Sequence, residues 1–249
     1  MRIQRVMASL VGSALALLAG AAQAAEIKVL ASTAVKTTLQ ELGPQFEKAT
    51  GNKVDITFGP GSTLNGQIEQ GTAFDVAILG ASVTEKLAGA GKVAGAPVTI
   101  AHSGIGVAIR KGAPKPDIST SEAFKQALLN AKSIGLTEAG ASRTYVMSVF
   151  EKLGIAEQMK PKVKLLQGAA AEAAGSGEVE IGMTQISEIL PHASAELAGP
   201  LPPDLQTYTY FSAGVSAASK ESDAAKAFIK FIATPAALAV IKAKGMEPG

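Results

Sequence analysis

Four short stretches combine glycine or alanine with serine or threonine, and each follows a segment typical of a buried β-strand. They are ASTAV (31–35), GPGST (59–63), GASRT (140–144) and MTQIS (183–187). A strand-to-helix turn presents unpaired backbone N–H groups and the positive end of a helix dipole, and hydroxyl side chains add donors. In open parallel sheets, ligands bind beyond the carboxyl ends of the strands. The four turns therefore predict an anion-binding site.

One of these turns also carries a cation. Arg143 stands between Ser142 and Thr144, at the start of a predicted helix where the dipole disfavours positive charge. A bound anion would resolve that conflict, and the guanidinium fork matches a carboxylate with two hydrogen bonds. We therefore expect an organic carboxylate as the ligand. The alternatives are a solvated surface arginine or an ion pair with Glu138.

Several common kinds of site are absent from the sequence. GPGSTLNG lacks the Gly-Lys-Ser/Thr of a P-loop and the G-x-G-x-x-G spacing of a dinucleotide site. There is no cysteine, no G-x-S-x-G elbow and no H-E-x-x-H motif. The two histidines are His102, in a long predicted strand, and His192, in a predicted surface loop. We expect neither a metal site nor a cofactor.

The first 24 residues have the features of a secretory leader. Arg2 and Arg5 precede an apolar stretch that ends at Ala22-Gln23-Ala24, a typical cleavage signal. We predict cleavage after Ala24 and a periplasmic protein. Of the 23 Lys and Arg, two lie in this leader, which leaves 21 against 21 Asp and Glu. This neutral balance and an aromatic content of 4% argue against nucleic-acid binding.

The remaining chain alternates predicted strands and helices as far as residue 184. Such alternation predicts an α/β fold with parallel-dominated sheets covered by helices. Pro44 falls inside the first predicted helix, where proline should kink or shorten it. After the loop GPLPPD (199–204) the alternation stops, and an extended segment (206–217) precedes two helices that begin near Ser222 and Thr234.

Several of these segments together resemble a known family. IKVLASTAV (27–35), VDITFGPGSTLNGQIEQGTAFDVAILG (54–80), SRTYVMSVFEKLGI (142–155) and AKAFIKFIATPAA (225–237) are similar to periplasmic solute-binding proteins of the molybdate-binding type. The resemblance covers nearly the whole chain after the leader.

This resemblance implies a type II periplasmic binding fold, in which two α/β lobes joined by two crossover strands close on an anion. We define lobe 1 as residues 25–102 plus 209–249, and lobe 2 as residues 103–208. A monomer that delivers its ligand to an ABC permease of the inner membrane is the expected arrangement.

The resemblance also shows where this sequence departs from molybdate binders. Those proteins have serines where alignment places Ala34 and Gly61, and a tyrosine near Gln185. The three replacements argue against molybdate and tungstate and favour an organic acid. The residues expected to bind it are Thr33, Ala34, Gly61, Ser62, Thr63, Ser142, Arg143, Thr144, Thr184 and Gln185.

An enzyme of the same fold, aconitate isomerase, is a second member type that this sequence resembles. It interconverts trans- and cis-aconitate, which requires a base near an acidic C–H and cationic groups that stabilise the developing charge. Arg143 could stabilise that charge, and Lys36, Glu41 or His102 could be the base. The sequence leaves open both this choice and the choice between a carrier and an enzyme.

Overall fold

The structure is a computed structural model that describes residues 24–249. The predicted leader therefore lies outside the described residues, apart from its last residue, Ala24. Residues 24–249 form ten strands and ten α-helices. The strands are β1 (Glu26–Ser32), β2 (Lys53–Gly59), β3 (Val76–Gly80), β4 (Val93–Arg110), β5 (Ile134–Thr137), β6 (Val163–Leu166), β7 (Ile181–Gln185), β8 (Ala195–Pro200), β9 (Tyr208–Ser216) and β10 (Glu247–Pro248). The helices are α1 (Lys36–Thr50), α2 (Gly61–Glu69), α3 (Ala81–Gly89), α4 (Ser121–Asn130), α5 (Arg143–Lys152), α6 (Ala156–Met159), α7 (Ala170–Ser176), α8 (Ile186–Ile189), α9 (Ser222–Ile232) and α10 (Pro235–Ala243).

The strands form one sheet in the order β2-β1-β3-β9-β4-β7-β5-β6, with β8 and β10 paired to β4. The pairings among β2, β1 and β3 and among β7, β5 and β6 are parallel. The pairings made by β4 and β9 are antiparallel. Each outer part of the sheet is therefore a parallel unit, and the two units meet at β4 and β9.

Helices cover both faces of each parallel unit, because neighbouring strand residues point to opposite sides. In β1, Val29 packs with the cluster that contains α1, α9 and α10, whereas Leu30 packs with α2 and α3. In β4, Val107 packs with α4 and α5, and Ala108 packs with α7 and α8. This architecture confirms the predicted α/β fold class with two crossover strands.

The division into lobes at 102/103 and 208/209 remains a proposal. In support of it, the buried apolar clusters on one side use residues from Ile27 to Ala101 and from Phe211 to Met246. The clusters on the other side use residues from Ile105 to Leu205. The strands β4 and β9 run between the two groups of clusters.

Two predictions need correction: the effect of Pro44 on the first helix, and the set of helices and strands in the second half of the chain. Helix α1 continues through Pro44 to Thr50 and is not shortened there. The Pro44 ring faces solvent, while Leu42 and Phe46 on either side are buried in the core and hold the helix in place. Helices α6 and α8 and strand β8 were not predicted, because four to six residues are too few to show a clear periodicity.

Among residues 24–249, no single helix is both long enough and apolar enough to cross a membrane. The helices α9 and α10 meet such criteria only as a pair, and they are bent by 64° relative to each other.

Candidate functional site

A cleft of about 510 Å³ lies where the carboxyl ends of five parallel strands meet. Its wall includes the last residue of β5, the residues directly after β1, β2 and β6, and the next-to-last residue of β7. The lining residues are Thr33, Lys36, Thr37, Gln40, Pro60, Thr137, Gln167, Gly168, Ala169, Glu172, Thr184, Ser187, Glu188, Pro191 and His192. Both proposed lobes therefore contribute to it.

Two larger concavities lie at the opposite ends of the strands. One, of about 800 Å³, adjoins the amino ends of β5 and β7, and another, of about 700 Å³, adjoins the amino ends of β1 and β3. Each is lined by residues of one proposed lobe alone. The cleft is the better candidate because ligands of open α/β sheets bind at the carboxyl ends of strands.

The lobe 1 wall is built from the segments that follow β1 and β2. After β1, a 3-10 turn (Thr33–Val35) leads into α1, which places Lys36, Thr37 and Gln40 along the cleft. After β2, Pro60 is the residue before α2, and no side chain caps this nine-residue helix. The first-turn N–H groups of α2 therefore remain available to an anion beside the cleft.

The lobe 2 wall is held together at Thr137, the last residue of β5. Its hydroxyl donates a hydrogen bond to the carbonyl oxygen of Gly168, at 3.1 Å. The same hydroxyl oxygen accepts a hydrogen bond from the backbone N–H of Ala170, at 3.2 Å. These contacts connect the end of β5 to the start of α7 and fix the loop that borders the cleft.

The other part of the lobe 2 wall contains an acid and a histidine. The Thr184 hydroxyl donates a hydrogen bond to the carboxylate of the half-buried Glu188. Burial raises the pKa of Glu188, an effect that hydrogen bonds from Thr184 and the Gln185 backbone and the nearby His192 oppose. The cleft therefore holds a carboxyl group that keeps its proton to a higher pH than an exposed carboxyl group does.

The ionisable lining residues are of both signs. Lys36 and His192 face the cleft from one proposed lobe each, and Glu172 and Glu188 face it from lobe 2. The carboxylate of Glu41 is instead paired with the ammonium of Lys244, at 2.7 Å. Among residues 24–249, no three His, Asp or Glu side chains come together as a metal site.

Of the ten predicted site residues, Thr33 and Thr184 line the cleft. Gly61, Ser62 and Thr63 begin α2, directly after the lining residue Pro60, and the Ser62 hydroxyl donates to the carbonyl oxygen of Ala139, 3.4 Å away in lobe 2. Ala34 is buried beneath the wall.

The remaining predicted residues do not line the cleft. Ser142 is buried, Arg143 is half-buried as the first residue of α5, and Thr144 is exposed. The Arg143 guanidinium makes no hydrogen bond or ion pair with residues 24–249, and Glu138 accepts a hydrogen bond from Gln167 instead. The buried Gln185 donates to the Thr209 hydroxyl, at 2.8 Å.

The three suggested bases are separated by the fold. Lys36 lines the cleft, whereas Glu41 does not. His102 packs against Tyr208 and Tyr210, with ring centroids 5.3 and 4.8 Å away. Its neighbour Ser103 accepts a hydrogen bond from the backbone of α8, so alternation along β4 turns His102 to the other face of the sheet.

His192 and Glu188 were not predicted as site residues. The sequence indicated a surface loop for His192, but the turn after α8 folds it back so that it is half-buried at the cleft. An acid and a histidine four residues apart, directly after a predicted strand end, were the signal that could have identified them.

The sequence of this chain is similar to that of a known family and of several known proteins. A family model described as a bacterial extracellular solute-binding protein matches residues 27–247. A Pseudomonas protein named aconitate isomerase is 31% identical over 230 residues, which is 89% of this chain and 87% of that protein. The molybdate-binding protein ModA of Azotobacter vinelandii is 31% identical over 240 residues, or 92% of each chain.

The solved structure of the Azotobacter vinelandii periplasmic molybdate-binding protein has a similar fold. It superimposes with a TM-score of 0.76 at 22% identity, and the match covers 90% of this chain and 99% of that one. With the family match over most of its length and its cleft at the strand ends, this chain belongs to the bacterial extracellular solute-binding protein family.

Proposed function

We propose that this protein captures a small organic carboxylate in the cleft. The observation that carries the proposal is the position of Lys36, which lines a cavity of about 510 Å³ beside the uncapped start of α2. An ammonium group and free backbone N–H groups favour an anion. The volume lies within the range of about 300–1,000 Å³ that is typical of small-molecule sites.

The residues near α2 favour an organic acid over molybdate. Ala34 is buried and brings no hydroxyl, and Gly61 has none either. A tetrahedral oxyanion would therefore lose donors that molybdate binders supply at these positions. A carboxylate ligand can instead use hydroxyls such as those of Thr33 and Thr184.

The proposed binding set keeps the ten predicted residues and adds Lys36. Arg143 stays in this set as a prediction, since a modest closing motion of the lobes would change what its unpaired guanidinium contacts. The family membership supports a small-molecule ligand and a permease partner. Export to the periplasm, removal of residues 1–24 and a monomeric carrier complete the proposal.

Isomerisation of a tricarboxylate is the second candidate function. It is favoured by the relative named aconitate isomerase together with the presence of Glu188 and His192 in the cleft. One of these groups, or Lys36, would remove a proton from carbon, and a proton would return at the far end of the allylic system. Cationic donors near the carboxylate would stabilise the negative charge of the intermediate.

A thermal-shift screen tests the binding proposal. The purified chain would be melted with trans-aconitate, other di- and tricarboxylates, molybdate and sulfate. A ligand at 100 times its dissociation constant should stabilise the fold by about 2.7 kcal/mol. We expect a shift with an organic acid and none with molybdate, and the reverse result would refute the carboxylate assignment.

Turnover separates the carrier from the enzyme. The protein would be incubated with trans-aconitate, and the cis isomer would be followed by proton NMR. Accumulation of the cis isomer with wild type, but not with Glu188→Gln, would favour the isomerase. Binding of trans-aconitate without any cis product would favour the carrier.

A further inference from the structure

Four buried side-chain atoms lack a hydrogen-bond partner among residues 24–249. They are Thr37 Oγ1, His102 Nδ1, Gln185 Oε1 and Ser187 Oγ. His102 and Gln185 belong to the crossover strand β4 and to the end of β7. Thr37 and Ser187 both line the cleft.

The residues that carry the two unpaired hydroxyls belong to different walls of the cleft. Thr37 belongs to α1 in lobe 1, and Ser187 belongs to α8 in lobe 2. Ser187 is only 2% exposed, and its backbone N–H donates to the Ser103 hydroxyl, which anchors it in place. Helix α8 contacts the 3-10 turn that precedes α1, so these two walls approach each other.

A buried hydroxyl without a hydrogen bond is costly, and native proteins almost always satisfy such groups with protein, water or ligand. Lys36 is exposed at the mouth of the cleft, whereas the hydroxyls of Thr37 and Ser187 are fully covered. The cleft therefore combines an exposed cation at Lys36 with two covered, uncharged hydrogen-bonding groups at Thr37 and Ser187.

We propose that Thr37 and Ser187 bind a second polar group of the ligand, so that the cleft selects acids with two or more carboxylates. This inference rests on the proposed carboxylate-binding function. One carboxylate lies near Lys36 and the start of α2, and another reaches the two hydroxyls once a small movement of the walls uncovers them. A monocarboxylate or a compact oxyanion satisfies only one of these parts.

The test uses Ser187→Ala and Thr37→Val, with calorimetric titration of trans-aconitate as the tricarboxylate and crotonate as the monocarboxylate. Wild type should bind trans-aconitate at least about tenfold more tightly than crotonate. Each variant should weaken trans-aconitate binding about fivefold, because one hydrogen bond to the ligand is lost. The difference in affinity between trans-aconitate and crotonate should therefore become smaller. Thr37→Ser keeps the hydroxyl and should retain binding.

The melting temperature without ligand gives an independent readout. Removal of a buried hydroxyl that has no hydrogen-bond partner should leave the melting temperature unchanged or raise it. Thr84→Val is the matched control, because Thr84 is fully buried in α3 and its hydroxyl donates to the carbonyl oxygen of Ala81, at 2.9 Å. That control should lower the melting temperature and leave affinity unchanged.

Several results would overturn the inference. Unchanged trans-aconitate affinity in both variants would refute the role of the hydroxyls in ligand binding, but it would not contradict the proposed carboxylate-binding function. Lower melting temperatures without ligand would show that the hydroxyls are structural groups bound to internal water. Equal affinity of wild type for both acids would refute the selectivity. If wild type binds neither acid but binds molybdate, the proposed function itself fails together with this inference.

Discussion

The Thr184 hydroxyl donates a hydrogen bond to the carboxylate of Glu188, and both residues line the cleft between the parallel strand ends. The contact holds a half-buried acid where a ligand would lie. Because burial raises the pKa of Glu188, the folded protein retains a proton that the unfolded chain releases above its ordinary pKa of 4.5.

The pH dependence of stability tests this relationship. The native state binds more protons than the unfolded state from pH 4.5 up to the raised pKa, so burial of Glu188 costs stability as pH rises through that window. Glutamine cannot ionise and avoids this cost. The melting temperature of Glu188→Gln minus that of wild type should therefore become more positive from pH 4 to pH 7.5, as measured by calorimetry.

Glu172 provides the control for that experiment. It lines the same cleft but is exposed. Glu172→Gln should show no such pH-dependent gain over wild type. A difference between Glu188→Gln and wild type that stays constant or falls with pH would contradict the role of burial.

Lys36 and Arg143 make different contributions to anion affinity. Lys36 lines the cleft, whereas Arg143 does not and has no ion pair among residues 24–249. Loss of a charge-assisted hydrogen bond costs about 1.5–3 kcal/mol. We expect both alanine variants to weaken carboxylate binding in calorimetric titration, with the larger loss from Lys36→Ala.

The control for this pair is Lys53→Ala, which removes an exposed lysine that is paired with Glu47 at 3.2 Å. Its effect on binding should be negligible. A larger loss from Arg143→Ala than from Lys36→Ala would mean that the guanidinium is the main anchor of the ligand.

The surroundings of Gly182 and Gly61 differ, so we expect different effects on stability when each is replaced by alanine. A Cβ at Gly182, in β7, would lie 2.3 Å from the carbonyl oxygen of Ala170, whereas one at Gly61 would meet no atom within 4 Å. Gly182→Ala should therefore destabilise the fold by about 1–3 kcal/mol, as measured by urea unfolding. Gly61→Ala should leave stability nearly unchanged, and equal effects of the two variants would contradict the packing around β7.

Phe46 links the first and last parts of lobe 1. It is fully buried, and its ring makes edge contacts with Phe228 and Phe231, with centroids 5.1 and 5.6 Å apart. Phe46→Ala should lower the free energy of unfolding by about 3–5 kcal/mol. Phe46→Leu, which keeps most of the volume, should cost much less, and similar losses from both would show that the ring contacts, rather than the filled volume, carry the effect.

Local patterns in the sequence were enough to predict the α/β class, most strand and helix positions and the turns that border the cleft. Apolar residues at intervals of two or about 3.6 reveal strands and helices because each element must bury one side. The turns were identifiable because glycine, serine and threonine favour strand-to-helix junctions. Two of these turns contain Thr33 and Thr184, which line the cleft.

The side chains that face the cleft were decided by the tertiary structure. Lys36 and Glu41 lie five residues apart on one helix, yet one lines the cleft and the other pairs with Lys244, the residue directly after α10. His192, which the sequence placed in a surface loop, lines the cleft because the turn after α8 folds back on the sheet. Helical periodicity in the sequence identifies the buried side of a helix. It does not show which other part of the protein lies beside each of the remaining sides, because that depends on contacts between residues far apart in the sequence.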